Sequence, residues 1–307
     1  MRNSTIVSEA RSELVSPRRR ALIAAGLCAA LPIGCASRPL DQPQALAQGI
    51  VWQIDDDHLD PRGDWDRLGV TDLLVQWTAV DDLSFLPGTA THRKSRLAGL
   101  TTSEHLPDWA RIAGEPWARN VIVGLAGRFD ETTARARVAR LIAQSKQLAT
   151  VLPPGHIDGY YFPVEVDPTW AGARALGPLL EQLPRPLWIS VYENSNIGGP
   201  ALADWLTRWL PPDVGVLLQD GCGVGVRGPA AARAYADALA ARRGKERTRI
   251  IAEAFRPAQK GAFRPATAAE LAPQLLAYRG YRAYLFDGPH YVSARLVRDL
   301  LEEAARR

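Results

Sequence analysis

Six acidic residues stand at or near the ends of short apolar runs: Asp55, Glu165, Glu193, Asp220, Glu253 and Asp287. A carboxylate next to a buried run is expensive unless it is paired or has a task. Carboxylates gathered in one place also raise one another's pKa values, so one can keep its proton while another ionises. Glycoside hydrolysis needs that division of labour. One protonated carboxyl donates to the leaving oxygen, and a second, ionised, attacks the anomeric carbon or activates water. Trp52, Trp77, Tyr161, Tyr192, Phe255 and Tyr291 lie on or next to the same run ends, and their flat faces suit pyranose rings. Taken singly, each of these aromatics reads as core.

The elements that must position these groups are legible as eight runs rich in β-branched and aromatic residues: 49–55, 72–80, 120–129, 157–166, 186–194, 214–220, 249–255 and 283–288. Amphipathic segments alternate with them. The clearest is 130–152, where Val138, Leu141, Ile142 and Leu148 form a stripe and Thr132 or Thr133 is expected to cap. Others follow at 199–210 and 228–244, and two more close the chain. Eight strands alternating with helices over about 250 residues predict a (β/α)8 TIM barrel, with the active site at the C-terminal ends of the strands. The competing architecture, a doubly wound open sheet, usually has a Gly-rich phosphate loop after its first strand. "DDDHLDPRGDW" stands there instead. The strand-four and strand-seven glutamates, Glu165 and Glu253, then face each other as the catalytic pair. Asp55, Asp220 and Asp287 are expected to bind sugar hydroxyls or tune that pair. Glu193 reads equally as a ligand or as a rim residue. Residues 81–105 form a polar excursion that the barrel would carry above its catalytic face.

The 307 residues are 47% hydrophobic and 23% charged, which suits a globular body. The net charge of +4 comes mostly from residues 1–34, which hold five Arg and two Glu; 32 basic and 31 acidic residues remain without them. No basic block interleaved with aromatics is present, so nucleic acid is not an expected partner. Arg18, Arg19 and Arg20 precede an apolar run that ends at Ile33, too short for a stable bilayer span but suited to a signal peptide. Sec and twin-arginine export both fit. The run leads to Gly34-Cys35-Ala36-Ser37, which resembles a bacterial lipoprotein signal with Cys35 as the lipidated residue, although Pro32 stands where Leu is usual. An ordinary secretory signal is the alternative. The expected organisation is a signal over 1–34, a tether over 35–48 and one domain over 49–307. Its location would be the periplasmic face of the outer membrane, or else the periplasm or exterior as a soluble protein.

Cys222 is left as a lone cysteine in the Gly-rich loop "DGCGVGVRGP", with no disulfide partner and no activating base beside it in sequence. No cofactor is implied. No His/Cys cluster has zinc spacing, and Asp287 with His290 comes nearest to a metal pair, so no metal is expected. A monomer acting on a polysaccharide is the expectation.

Three segments carry a family resemblance: "GIVWQIDDDHLDPRGDWDRLGVTDLLVQWTAVDD", "YYFPVEVDPTW" and "LLQDGCGVG". Together they resemble the bacterial barrels catalogued as domain of unknown function 4434, over residues 49 to about 292. The most specific pieces are Gln76-Trp77, Pro163 with Glu165, and Gln219-Asp220-Gly221. The resemblance implies a glycoside-hydrolase-like barrel, exported and in several members lipidated. More remotely, the strand-four and strand-seven glutamates are similar to those of the large retaining-glycosidase clan. That likeness implies Glu165 as acid/base and Glu253 as nucleophile. The clan usually has Asn before the strand-four glutamate, where this chain has Val164, so contact to the sugar's 2-hydroxyl falls to Gln76, Asn194 or Gln219. A non-catalytic carbohydrate-binding lipoprotein serving exopolysaccharide export or biofilm is the alternative function.

Overall fold

A computed structural model describes residues 45–87 and 99–306. The leader, Cys35, most of the tether and the middle of the 81–105 excursion lie outside these residues. Eight strands form a closed barrel: β1 (Gly49–Trp52), β2 (Asp72–Val75), β3 (Asn120–Gly124), β4 (Ile157–Val166), β5 (Leu187–Val191), β6 (Gly215–Gln219), β7 (Thr248–Glu253) and β8 (Arg282–Phe286). Each pairs in parallel with its neighbour in sequence, and β8 closes on β1 through Gly49 opposite Tyr284 and Ile50 opposite Leu285. This is the expected (β/α)8 TIM-barrel architecture. The chain is already anchored before β1. Ala47 is buried, and the N–H groups of Leu46 and Ala47 donate to Leu68 O.

Side chains alternate between two buried layers, as strand geometry requires. One residue from every strand points to the barrel axis and packs an inner ring: Val51, Leu74, Ile122, Tyr161, Trp188, Leu217, Ile251 and Tyr284. Their neighbours, such as Ile50, Leu73, Ile189 and Ile250, face outward into the larger core beneath the helices. Both faces are apolar because both are covered, which is why the strands read as continuous hydrophobic runs.

The helices are α1 (Trp109–Ala113), α2 (Glu131–Ala136), α3 (Val138–Leu148), α4 (Leu176–Leu180), α5 (Gly199–Thr207), α6 (Pro229–Arg243), α7 (Ala268–Ala277), α8 (Gly288–Tyr291) and α9 (Ala294–Ala305). None of the described helices is long and apolar enough to cross a membrane. Between β1 and β2 only a 3-10 turn, Trp65–Leu68, bridges the strands. The predicted helix over 130–152 is two helices, because Arg137 leaves the helical region with φ −116°. Its cap is Asp130 rather than either threonine: the Asp130 carboxylate accepts from Thr133 N at 2.7 Å.

Several predicted strands were too long, and two of them split. The second and third runs leave the barrel at Val75 and Gly124, and their remainders, Ala79–Val80 and Ala126–Gly127, pair in a separate four-stranded rim sheet. Leu83–Ser84 and Thr101–Thr102 complete that sheet. The turn between barrel and rim requires glycine, since a Cβ on Gly124 would lie 2.2 Å from Val75 O.

Candidate active site

The alternation that fills the inner ring also decides which side chains reach the top of the barrel. Two residues beyond the ring, Gln53, Gln76, Gln219, Glu253 and Phe286 point the same way, and with Tyr192, four beyond Trp188, they line a cavity of about 390 Å³. Pro163 and Glu165 join them from β4, whose pairing with β5 shifts register between Phe162 and Val166. The cavity therefore receives Glu165, Glu253, Gln76, Trp77, Tyr192, Gln219 and Phe255 from the residues expected in the sequence.

Glu165 sits in a cage of directed contacts. Gln219 Nε2 donates to its Oε1 at 2.5 Å. Its own N–H donates to Glu131 Oε1 at 2.9 Å, and its carbonyl accepts from Arg135 Nη2 at 2.9 Å. Burial raises the pKa of its carboxyl, against the lowering effect of Gln219 and of the Arg135 charge. Across the cavity, Glu253 Oε2 accepts from Gly223 N at 2.6 Å and Val224 N at 3.2 Å. Position 223 has to be glycine for this approach, because a Cβ there would lie 2.9 Å from that oxygen. The Gly-rich loop after β6 thus brings its backbone to a carboxylate. Burial, the Asp220 charge and, more weakly, the Glu165 charge push Glu253 up to about 7, against those two backbone donors. The Glu165 charge therefore reaches Glu253.

A third carboxylate, Glu131, was missed in the sequence. It lines the same cavity from the first turn of α2, and burial with the nearby Glu165 charge pushes it up to about 8. The only available signal was its place directly after a strand end and the cap residue Asp130. Arg128, Phe129, Phe263 and Phe286 also line the cavity without having been singled out. Phe129 and Phe263 are exposed large apolar residues, packed edge-on against Trp77 (4.9 Å) and Phe255 (4.7 Å). Gln76 Oε1 is buried with no protein partner, so it remains a spare acceptor beside the carboxylates.

The remaining expected residues do not line the cavity. Trp52 points outward and is buried against Trp109, its Nε1 donating to His58 O at 2.7 Å. Tyr161 belongs to the inner ring one layer below, with its hydroxyl donating to Ser190 Oγ at 2.8 Å. Glu193 is fully buried in an ion pair with Arg227 at 3.1 Å, and Arg227 Nη2 also donates to the Glu193 carbonyl. Asp220 is fully buried too. It accepts from Cys222 N (3.1 Å), Glu253 N (3.3 Å), Tyr278 OH (2.8 Å) and Gln274 Nε2 (2.5 Å), so it ties β6, β7 and α7 together. Its effect on the cavity is electrostatic, through Glu253. Asp55 and Asp287 meet His58 and His290 at the seam between β1 and β8. Tyr291 packs against Phe255 with ring centroids 5.3 Å apart. Asn194 is exposed and contributes through a hydrogen bond to Tyr192. Cys222 is buried, and burial with the Asp220 charge pushes its thiol up to about 12, which keeps it unreactive.

The fold and site define a class: a (β/α)8 barrel with three coupled glutamates in one axial cavity. No family model matches the chain, and no curated protein matches it either. Four solved chains match in structure. One is a candidate alpha-L-fucosidase from Bacteroides thetaiotaomicron, 16% identical, with a TM-score of 0.53 over 90% of this chain and 98% of that one. At that identity the likeness shows the barrel fold. Another is a glycoside hydrolase family 128 endo-beta-1,3-glucanase from Amycolatopsis mediterranei, in complex with laminarihexaose. It is 13% identical over 79% of this chain and 89% of that one, and its TM-score is 0.39.

Proposed function

We propose that this protein is an exported glycoside hydrolase acting on a polysaccharide by a two-carboxylate mechanism. The observation that carries this reading is the joint placement of Glu165 and Glu253 in one 390 Å³ cavity, each with a raised pKa and with the Glu165 charge reaching Glu253. Glu165 acts as the acid/base. Its proton goes to the glycosidic oxygen as the bond from that oxygen to the anomeric carbon breaks, releasing a new hydroxyl end. Glu253 supplies the electron pair at the anomeric carbon through Oε1, while Gly223 and Val224 hold Oε2. Water, deprotonated by Glu165, then displaces Glu253, and the net change is one water added across one glycosidic bond. Gln76 and Gln219 orient sugar hydroxyls, and the two exposed phenylalanines at the cavity give apolar platforms for ring faces.

The fold likeness to a candidate fucosidase supports this reading, as does the resemblance of the sequence to the domain of unknown function 4434 barrels. Membership of that family, lipidation at Cys35, a periplasmic outer-membrane location and a monomeric state are parts of the same proposal. Its test is the appearance of new reducing ends when the purified protein is incubated with a panel of bacterial glycans. Cleavage lost in Glu165→Gln and Glu253→Gln supports it. Glycan binding without cleavage by the wild type replaces it with the carbohydrate-binding lipoprotein reading.

A further inference from the structure

Away from the carboxylate cavity, the β1–β8 seam gathers four ligating side chains. Asp55 follows β1, His58 lies in the loop beyond it, Asp287 follows β8, and His290 is on α8. We propose that Asp55, His58 and His290 form a binding site for a divalent transition-metal ion, zinc by its ligand set, which staples the seam where the barrel closes. Two imidazoles and a carboxylate are a standard three-residue zinc set, with water as the fourth ligand. One ligand atom from each residue lies within 4.8 Å of the other two. All three residues are partly exposed, so an ion can enter and keep a water.

The spacing is close to what an ion requires. Asp55 Oδ1 is 2.8 Å from His58 Nδ1, and Asp55 Oδ2 is 3.1 Å from His290 Nε2. Zinc bonds of roughly 2.0–2.1 Å in tetrahedral geometry place adjacent ligand atoms ~3.3 Å apart. Both Asp55 distances lie within about half an ångström of that spacing. The imidazole rings already face each other with centroids 3.6 Å apart.

An independent observation comes from behind the site. Asp287 is only 2% exposed, and its Oδ2 meets His290 Nδ1 at 2.9 Å and accepts from Gln53 N at 3.1 Å. Metal-binding histidines characteristically give their second nitrogen to a buried carboxylate in this way, which fixes the ring and aims the other nitrogen at the ion. Among the described residues, Asp287 Oδ1 has no hydrogen-bond partner. A buried carboxylate left half satisfied is costly unless positive charge stands nearby, and a metal-bound imidazole supplies it.

The ion would join side chains 235 residues apart, at the place where the first and last strands meet. None of its ligands lines the carboxylate cavity, so this proposal and the hydrolytic one fail separately.

The experiment uses the purified protein, stripped with chelator and then titrated with Zn²⁺ by calorimetry, with thermal unfolding and Co²⁺ absorption in parallel. One ion per chain, a higher Tm with zinc and a tetrahedral Co²⁺ band are expected. His58→Ala and His290→Ala should each abolish stoichiometric binding, and Asp287→Asn should weaken it by roughly 10–100-fold. Should a histidine variant not fold, zinc protection of His58 and His290 from diethyl pyrocarbonate in the wild type decides the question. No saturable binding, equal binding in both folded histidine variants, or unprotected histidines would overturn the proposal, leaving a hydrogen-bonded Asp–His network.

Discussion

Gln219 and Asp220 are adjacent in sequence, yet they live in different parts of the molecule. Gln219 faces the axis and holds Glu165, whereas Asp220 faces the helices and is consumed by four hydrogen bonds. Tyr192 and Glu193 repeat the contrast, as do Phe286 and Asp287. An acid at a strand end is therefore a cavity residue or a buried brace according to one step of the strand's two-residue period. The axial layer holds carboxylates that line the cavity. The outer layer holds carboxylates paired for structure.

The sharpest way to break this contrast is to neutralise one acid from each layer. Glu165→Gln and Glu253→Gln should each reduce turnover by about 10²-fold or more while the protein stays folded. Near-normal reducing-end release from either variant would remove that residue from the mechanism. Glu193→Ala should do the opposite. It strands the Arg227 charge in the core and should cost about 3–5 kcal/mol, read as a lower denaturant midpoint. An unchanged midpoint with lost activity would move Glu193 into the site.

Glu131 sharpens the contrast from the cavity side. Its folded pKa of about 8 lies above the ordinary carboxylate value, so the stability it contributes is full at low pH and is lost as pH rises through 8. Each unit corresponds to about 1.4 kcal/mol. We expect Glu131→Gln to stabilise the fold on the order of 2 kcal/mol or more at pH 9, and hardly at all at pH 4. Equal Tm values for variant and wild type at both pH values would contradict this.

The pH–rate profile has its own sign. In the proposed mechanism Glu253 must be ionised, so activity should rise as pH climbs through about 7. A profile already at its plateau at pH 5 would argue against Glu253 as nucleophile. The smallest effect belongs to the platforms. Phe263→Ala should raise KM several-fold with little change in kcat, since one aromatic contact is worth about 1 kcal/mol. A loss confined to kcat would place Phe263 nearer the reacting bond than its exposed position suggests.

The barrel was legible because its cause is local. Runs such as "LWISV" and "RIIAE", spaced by amphipathic segments, are hydrophobic on both faces and can only be buried strands covered by helices. Glu165 and Glu253 were legible too, as acids at the ends of the fourth and seventh runs. Counting back in twos from those two glutamates gives the inward phase of the fourth and seventh strands only; which residues of the other strands point inward depends on the register of the closed barrel. Run ends by themselves conceal it.

The sequence by itself determined the number of barrel strands and which residues are chemically able to move protons. Tertiary structure alone decided that Glu131 joins Glu165 and Glu253, that backbone N–H groups after β6 hold one Glu253 oxygen, and that His58 meets His290 across the closing seam. These contacts link residues separated by roughly 30 to more than 200 positions. Closure of the barrel sets their distances, and no local pattern in the chain records where closure will fall.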